Sequence, residues 1–176
     1  TSRGHGGVCV CACGSRCYTV YNQGAWVTYM GKNDKVTLSY VPISELDKWW
    51  PVASPMIELA RKRYDSQYGL DDVKDAIAKG KAVLWLIMVG SKPRAAMTTS
   101  EDQYPRRKVL CIELLGGDAA EDWAEDAVGE LARVARAAGY DAIETKARRG
   151  WSKMAGKYNF RPVHVAYEME LNDGTR

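Results

Sequence analysis

The sequence predicts an α+β fold built on a mixed β-sheet. Three observations carry that prediction. From Met30 onward the elements follow the order β-α-α-β-β-β-α-β-α-β. The apolar runs AVLWLIMV and RAAMTT, split by GSKP, read as an antiparallel hairpin in the middle of the chain. A long amphipathic helix then separates two further strands, the usual way to join a parallel pair.

The elements follow in order. Val36–Val41 (VTLSYV) alternates apolar and polar residues, as a half-buried strand does. Ser44 is the expected N-cap of a helix with Glu45 and Asp47 in its first turn and Trp49, Trp50 and Val52 on its apolar face. Pro51 fits only near a helix start, and Pro55 predicts a break or a second start. Met56, Leu59, Ala60 and Arg63 continue a helical pattern to about Tyr64, and Gly69 interrupts it. Asp71 or Asp72 then caps a short helix that turns Val73, Ala76 and Ile77 inward and stops at Gly80.

Ala82–Val89 is a strand apolar on both faces, Gly90–Pro93 a turn and Arg94–Thr99 its partner, with a polar loop to Gln103. Lys108–Leu115 follows, with Val109, Cys111 and Glu113 on one face and Leu110, Ile112 and Leu114 on the other. Asp118 caps the main helix, with Glu121 at the reciprocal capping position. Trp123, Ala127, Val128, Leu131, Val134, Ala135 and Ala138 form its buried stripe. Gly139 ends it. Asp141–Ala147 is a strand, Trp151–Tyr158 a short helix and Val163–Leu171 a final strand.

Composition narrows the function classes. The chain of 176 residues suits one domain. A net charge of +3 is too small to demand a polyanion partner. The longest apolar run, Ala82–Val89, is far short of the roughly 18–20 residues that span a bilayer, so no membrane partner is expected. No basic-then-apolar leader is present, which makes the cytoplasm the expected setting.

Residues 1–29 contain no Asp, Glu or Lys but hold four of the five cysteines. They are expected to be an extension outside a single domain spanning 30–176. The alternative is a metal knuckle using His5, Cys9, Cys11, Cys13 and Cys17. Cys-x-Cys spacing closes a tetrahedral site poorly compared with Cys-x-x-Cys, so no metal is expected.

The element order, the hairpin AVLWLIMVGSKPRAAMTT, the strand VLCIELL and the segment KYNFRPV resemble the GNAT superfamily of acyl-CoA N-acyltransferases. The last segment is similar to that family's K-x-G-F helix end. The strand YPRRKVL, the Gly-Gly turn and RRGW also resemble small GNAT-like proteins of tailed bacteriophages. The resemblance implies a GNAT-like mixed sheet with flanking helices. It also implies acyl-CoA, with acetyl-CoA as coenzyme substrate. The phage likeness implies a virion-associated protein, in the host cytoplasm or the particle. Other virion proteins or DNA are then expected partners, through Arg148 and Arg149.

In that family two strands splay apart to take the pantetheine arm, and a helix N-terminus receives the pyrophosphate. Here this implies a coenzyme turn at Leu114, Leu115, Gly116, Gly117 and Ala119, with Arg148 and Arg149 supplying positive charge. The family's turn Arg or Gln and its Gly at the helix start are missing. Asp118, Glu121, Asp122, Glu125 and Asp126 crowd the first two turns instead. They either complement their own helix dipole or oppose the phosphates.

Glu113 is the implied base and Glu144 the second choice, on the expectation that burial raises a strand carboxylate toward neutrality. Either is equally read as a paired strand carboxylate. The family's tyrosine acid aligns with Ala155. Tyr158 is the substitute candidate, on the "x" of K-x-G-F, and Asn159 replaces the Gly. The departures weigh toward a degenerate acyl-CoA site on a non-catalytic scaffold. The preserved strand–Gly–Gly–helix weighs toward an active acetyl-CoA-dependent N-acetyltransferase acting on an amine.

Overall fold

The computed structural model describes residues 8–10, 18–20, 28–30, 36–64, 67–147, 149–151, 155–163 and 169. It divides into two compact units, Thr1–Lys146 and Ala147–Arg176.

The first unit is an α+β arrangement on a mixed sheet. Strands β1 (Val8–Val10) and β2 (Tyr18–Val20) form a two-stranded antiparallel pair. Six more strands form the main sheet in chain order: β3 (Thr28–Met30), β4 (Val36–Val41), β5 (Val83–Val89), β6 (Lys92–Tyr104), β7 (Arg107–Gly117) and β8 (Ala142–Thr145). Every neighbouring pair is antiparallel except β7 and β8. The boundary expected at Met30 falls inside β3, which pairs with β4 through Thr28, Tyr29 and Met30.

Helix α1 (Leu46–Tyr64) runs unbroken through Pro51 and Pro55, contrary to the expected break. Both prolines lie on its exposed side. The carbonyls of Asp47 and Pro51, which lose their usual N–H donors, therefore face water, and the helix persists. Ser44 is not the N-cap. It lies inside a 3-10 turn, Ile43–Glu45, that begins after Pro42 and has no side-chain cap. Glu45 instead accepts hydrogen bonds from Trp49 Nε1 at 3.1 Å and Lys48 Nζ at 3.3 Å. Helix α2 (Leu70–Ala78) starts after Gly69, whose N–H donates to the Asp72 carboxylate at 2.8 Å.

Leu46, Ala53, Ile57 and Ala60 of α1, with Val73 and Ile77 of α2, are packed with Leu84, Leu86, Ala96 and Leu114 from one face of the sheet. Strand alternation puts Leu38 and Ile87 on the other face, and a bulge at Glu113 puts Ile112 there too, opposite Leu114 and contrary to the expected shared face; all three are buried. Helix α3 (Ala124–Ala137) is the crossover between β7 and β8. It buries Ala124, Ala127, Leu131 and Ala135, but Ala138 is exposed.

The second unit contains 3-10 turns at Arg149–Trp151 and Gly156–Tyr158, where one short helix was expected. Trp151 and Phe160 meet edge to face at 5.3 Å. Of the expected final strand, residues 164–168 and 170–171 lie outside the described residues.

Candidate coenzyme site

Two irregularities in the sheet build an open fork. In the β6–β7 ladder, Thr98 faces Leu114 but Thr99 faces Ile112. Glu113 is therefore the extra residue of a β-bulge, which bends the strand. On its other edge, β7 pairs with β8 from Val109↔Ala142 only as far as Ile112↔Thr145. The Thr145 hydroxyl donates to the Ile112 carbonyl at 3.2 Å and closes the base of the fork. Beyond it, β7 runs on to Gly117 without β8. The Asp118 N–H donates to the Arg94 carbonyl of β6 at 3.3 Å. By two-residue alternation, the N–H and C=O groups of Leu115 and Gly117 then face the open side.

The turn beyond the fork is not the expected capped helix. Ala119 is left-handed, with φ 45° and ψ 51°. A 3-10 turn, Ala120–Asp122, follows, and Trp123 breaks it with φ −139° before α3 begins at Ala124. Asp118 does not cap α3, because Trp123 stands at that position and makes no side-chain cap bond. The Trp123 indole N–H instead donates to the Asp118 carbonyl at 2.7 Å and pins the turn. The N–H groups of Ala119, Ala120 and Glu121 have no protein acceptor among the described residues. Three adjacent backbone donors thus stand together at the turn, an arrangement that can receive an anion.

The two glycines meet a packing requirement that the sequence did not announce. A Cβ on Gly116 would overlap the Met56 carbonyl of α1 and lie 3.0 Å from the Ala60 Cβ. A Cβ on Gly117 would overlap the backbone of Arg94 and Ala95. Both are small so that α1 and β6 can approach β7. A basic residue does stand beside the turn, on β6. A register shift there, with Ile87 facing Ala95 and Met88 facing Pro93, leaves Arg94 as the extra residue. Its guanidinium reaches Asp118 at 3.5 Å. No sequence motif announces this, because a bulge is a property of the pairing.

Glu113 is exposed and accepts a 2.6 Å hydrogen bond from the Ser100 hydroxyl. The burial expected to tune it is absent. Glu144 sits 3.7 Å from Arg107. Cys111 is buried between them in register, facing Ser100 on β6 and Glu144 on β8. Its thiol donates to Asp102 at 3.3 Å. Burial, reinforced by Asp102, pushes that thiol up to about 12. The neighbouring Tyr104 hydroxyl is also pushed up, first by the Asp102 charge. Asp102 and Ser100 thus join the carboxylate face, and both were missed by a sequence reading that treated 100–103 as loop.

Leu114 is buried under α1, and Leu115 is half-buried on the opposite face. Tyr158 is buried within the turn Gly156–Tyr158 of the second unit, with Lys157 Nζ 5.7 Å from its ring centroid. Arg149 begins the turn before it, and Arg148 lies outside the described residues. Among the described residues no group of three or more His, Cys, Asp or Glu is placed to hold a metal. Cys9 pairs with Thr19 in β1–β2. His5, Cys11, Cys13 and Cys17 lie outside the described residues. No described helix is long and apolar enough to cross a membrane.

No family model and no curated protein matches the sequence. Solved structures do match the fold. One is an aminoglycoside acetyltransferase from an uncultured soil metagenomic sample, in complex with sisomicin. It has a TM-score of 0.56 and 11% identity over 78% of this chain and 99% of that one. Another is glucosamine-6-phosphate N-acetyltransferase from Arabidopsis thaliana, at TM-score 0.54 and 14% identity over 78% and 99%. A third, an acetyltransferase from Trypanosoma brucei, has a TM-score of 0.52 and 14% identity over 77% and 99%. The fold is that of the GNAT acetyltransferases.

Proposed function

We propose that this chain is an N-acyltransferase that draws an acyl-CoA, acetyl-CoA in the simplest case, into the β7–β8 fork. The open edge of β7 beyond Ile112 carries the reading. The backbone groups of Leu115 and Gly117 suit the two amides of a pantetheine arm, and the amides of Ala119, Ala120 and Glu121 suit its diphosphate. The bulge at Glu113 then lies beside the thioester.

An amine on the face bearing Ser100, Asp102 and Glu144 attacks the thioester carbonyl. Glu113, held by Ser100, takes the ammonium proton. The new C–N bond forms as the C–S bond breaks, and the coenzyme leaves as thiolate. The thiolate then takes a proton from solvent.

A second reading, a GNAT-fold scaffold in a phage particle that touches virion proteins or DNA through Arg148 and Arg149, is favoured by the five carboxylates between Asp118 and Asp126. Calorimetry with acetyl-CoA separates the two. Saturable binding in the micromolar range supports the enzyme. No heat and no thermal stabilisation at millimolar acetyl-CoA, with salt-sensitive DNA binding lost in an Arg148→Ala/Arg149→Ala variant, supports the scaffold.

A further inference from the structure

We infer that Arg94, a strand residue outside the turn, is the cation that receives the diphosphate of the acyl donor. The inference rests on the proposed acyl-CoA reading and names the residue that makes it electrostatically workable.

Three observations place Arg94 in that role. The register shift on β6 makes it an extra residue, set out of the regular ladder. Its backbone is fixed at the turn, since its carbonyl accepts the Asp118 N–H and Gly117 leaves no room beside it. Its guanidinium sits at the mouth of the turn and is held loosely. The contact to Asp118 is single and 3.5 Å long, and both side chains are substantially exposed, at 38% and 70%. A bidentate Arg–carboxylate pair would be shorter and two-pronged. An exposed pair of this kind contributes little to stability, so its guanidinium can exchange Asp118 for phosphate oxygens at small cost. The guanidinium fork suits a phosphate better than a lysine would.

Asp118 then acts as the resting partner. It keeps the arginine at the turn when no donor is bound and competes with the donor for it. This also fits a turn that lacks its own basic residue. The positive charge has moved from the loop to the neighbouring strand.

The test uses the full chain and three donors: acetyl-CoA, acetyl-dephospho-CoA and S-acetyl-pantetheine. The dephospho compound keeps the diphosphate but lacks the 3′-phosphate. The pantetheine compound lacks both. Arg94→Gln is expected to weaken acetyl-CoA and acetyl-dephospho-CoA alike, by roughly 10- to 100-fold, the usual worth of a charge-assisted phosphate contact. Binding of S-acetyl-pantetheine is expected to stay within about twofold, which also shows that the variant is folded. Asp118→Asn, which frees the arginine, is expected to tighten both phosphate-bearing donors.

Equal loss for all three donors, or none, overturns the assignment. A loss seen with acetyl-CoA but not with acetyl-dephospho-CoA moves the contact to the 3′-phosphate and overturns it too. If the unsubstituted protein binds none of the three, the acyl-CoA reading itself fails, and the inference with it.

Discussion

Gly116 of β7 lies directly against the Met56 carbonyl of α1, so closely that a single methyl group would occupy the same space. The obstruction is backbone, which cannot swing away as a side chain would. Gly116→Ala is therefore expected to destabilise the protein by about 1–3 kcal/mol or more through overpacking. Urea unfolding checks this. Adding Ala60→Gly should restore little, because Ala60 is the lesser contact. A stable Gly116→Ala variant that had lost acetyl-CoA affinity would return the glycine to a phosphate-approach role.

That glycine pair shows where sequence reading stopped. The α+β class, the mixed sheet and the cores of β5, α2 and α3 were legible, because each depends on local periodicity, whereas the bulge in β7 turns Leu114 to the face opposite Ile112, which strict alternation had joined. What the glycines face was not legible, since their neighbours, Met56 and Arg94, are distant in sequence. The start of α3 was misplaced for a similar reason. Asp118 and Glu121 form a convincing capping pattern, but the Trp123 indole takes the Asp118 carbonyl and the left-handed Ala119 redirects the chain. The prolines of α1 misled because a helix with an exposed side tolerates what a buried one does not. Glu113 was assigned to the correct strand. Its exposure follows from a bulge, and a bulge is fixed by two strands together.

The hydroxyl of Thr145 holds the last rung of the parallel β7–β8 pair. Thr145→Val keeps shape and removes the donor. A loss of about 0.5–1.5 kcal/mol is expected. The more telling readout is hydrogen exchange. Backbone amides of Ala142–Thr145 should exchange faster, while those of β5 should not change. Uniform acceleration across the sheet would mean that the hydroxyl contributes to global stability alone and does not close the fork.

Alkaline pH should destabilise the fold through two acids, the buried Cys111 and the half-buried Tyr140. The Cys111 thiol is pushed up to about 12 by burial and then by Asp102. The Tyr140 hydroxyl is pushed up to about 12 by burial and then by its 2.7 Å hydrogen bond to Glu101. Between about pH 9 and 12 the unfolded chain releases these protons while the folded chain keeps them. The unfolded state then binds fewer protons, so stability falls as pH rises across that window and is fully present below it. Cys111→Ala and Tyr140→Phe should each flatten the slope of unfolding free energy against pH, even where they lower stability at pH 7. An unchanged slope in both would show that neither group titrates abnormally.

The acids at the turn set opposite requirements for stability and for donor binding. Glu121 and Asp122 are exposed and sit before the first turn of α3. Near a helix N-terminus each contributes roughly 0.3–1 kcal/mol to stability. A carboxylate about 8 Å from a phosphate charge costs on the order of 0.5–2 kcal/mol at effective dielectrics of 80 to 20. Glu121→Gln and Asp122→Asn are thus each expected to tighten acetyl-CoA by roughly 2- to 30-fold while lowering the unfolding free energy slightly. The gain should shrink as salt is raised, since both charges are exposed to screening. S-acetyl-pantetheine, without phosphates, should show no gain. Calorimetry at low and high salt with both donors checks each part. If neither variant gains affinity for acetyl-CoA at low salt, the diphosphate does not approach this turn, and the carboxylates there serve the helix alone.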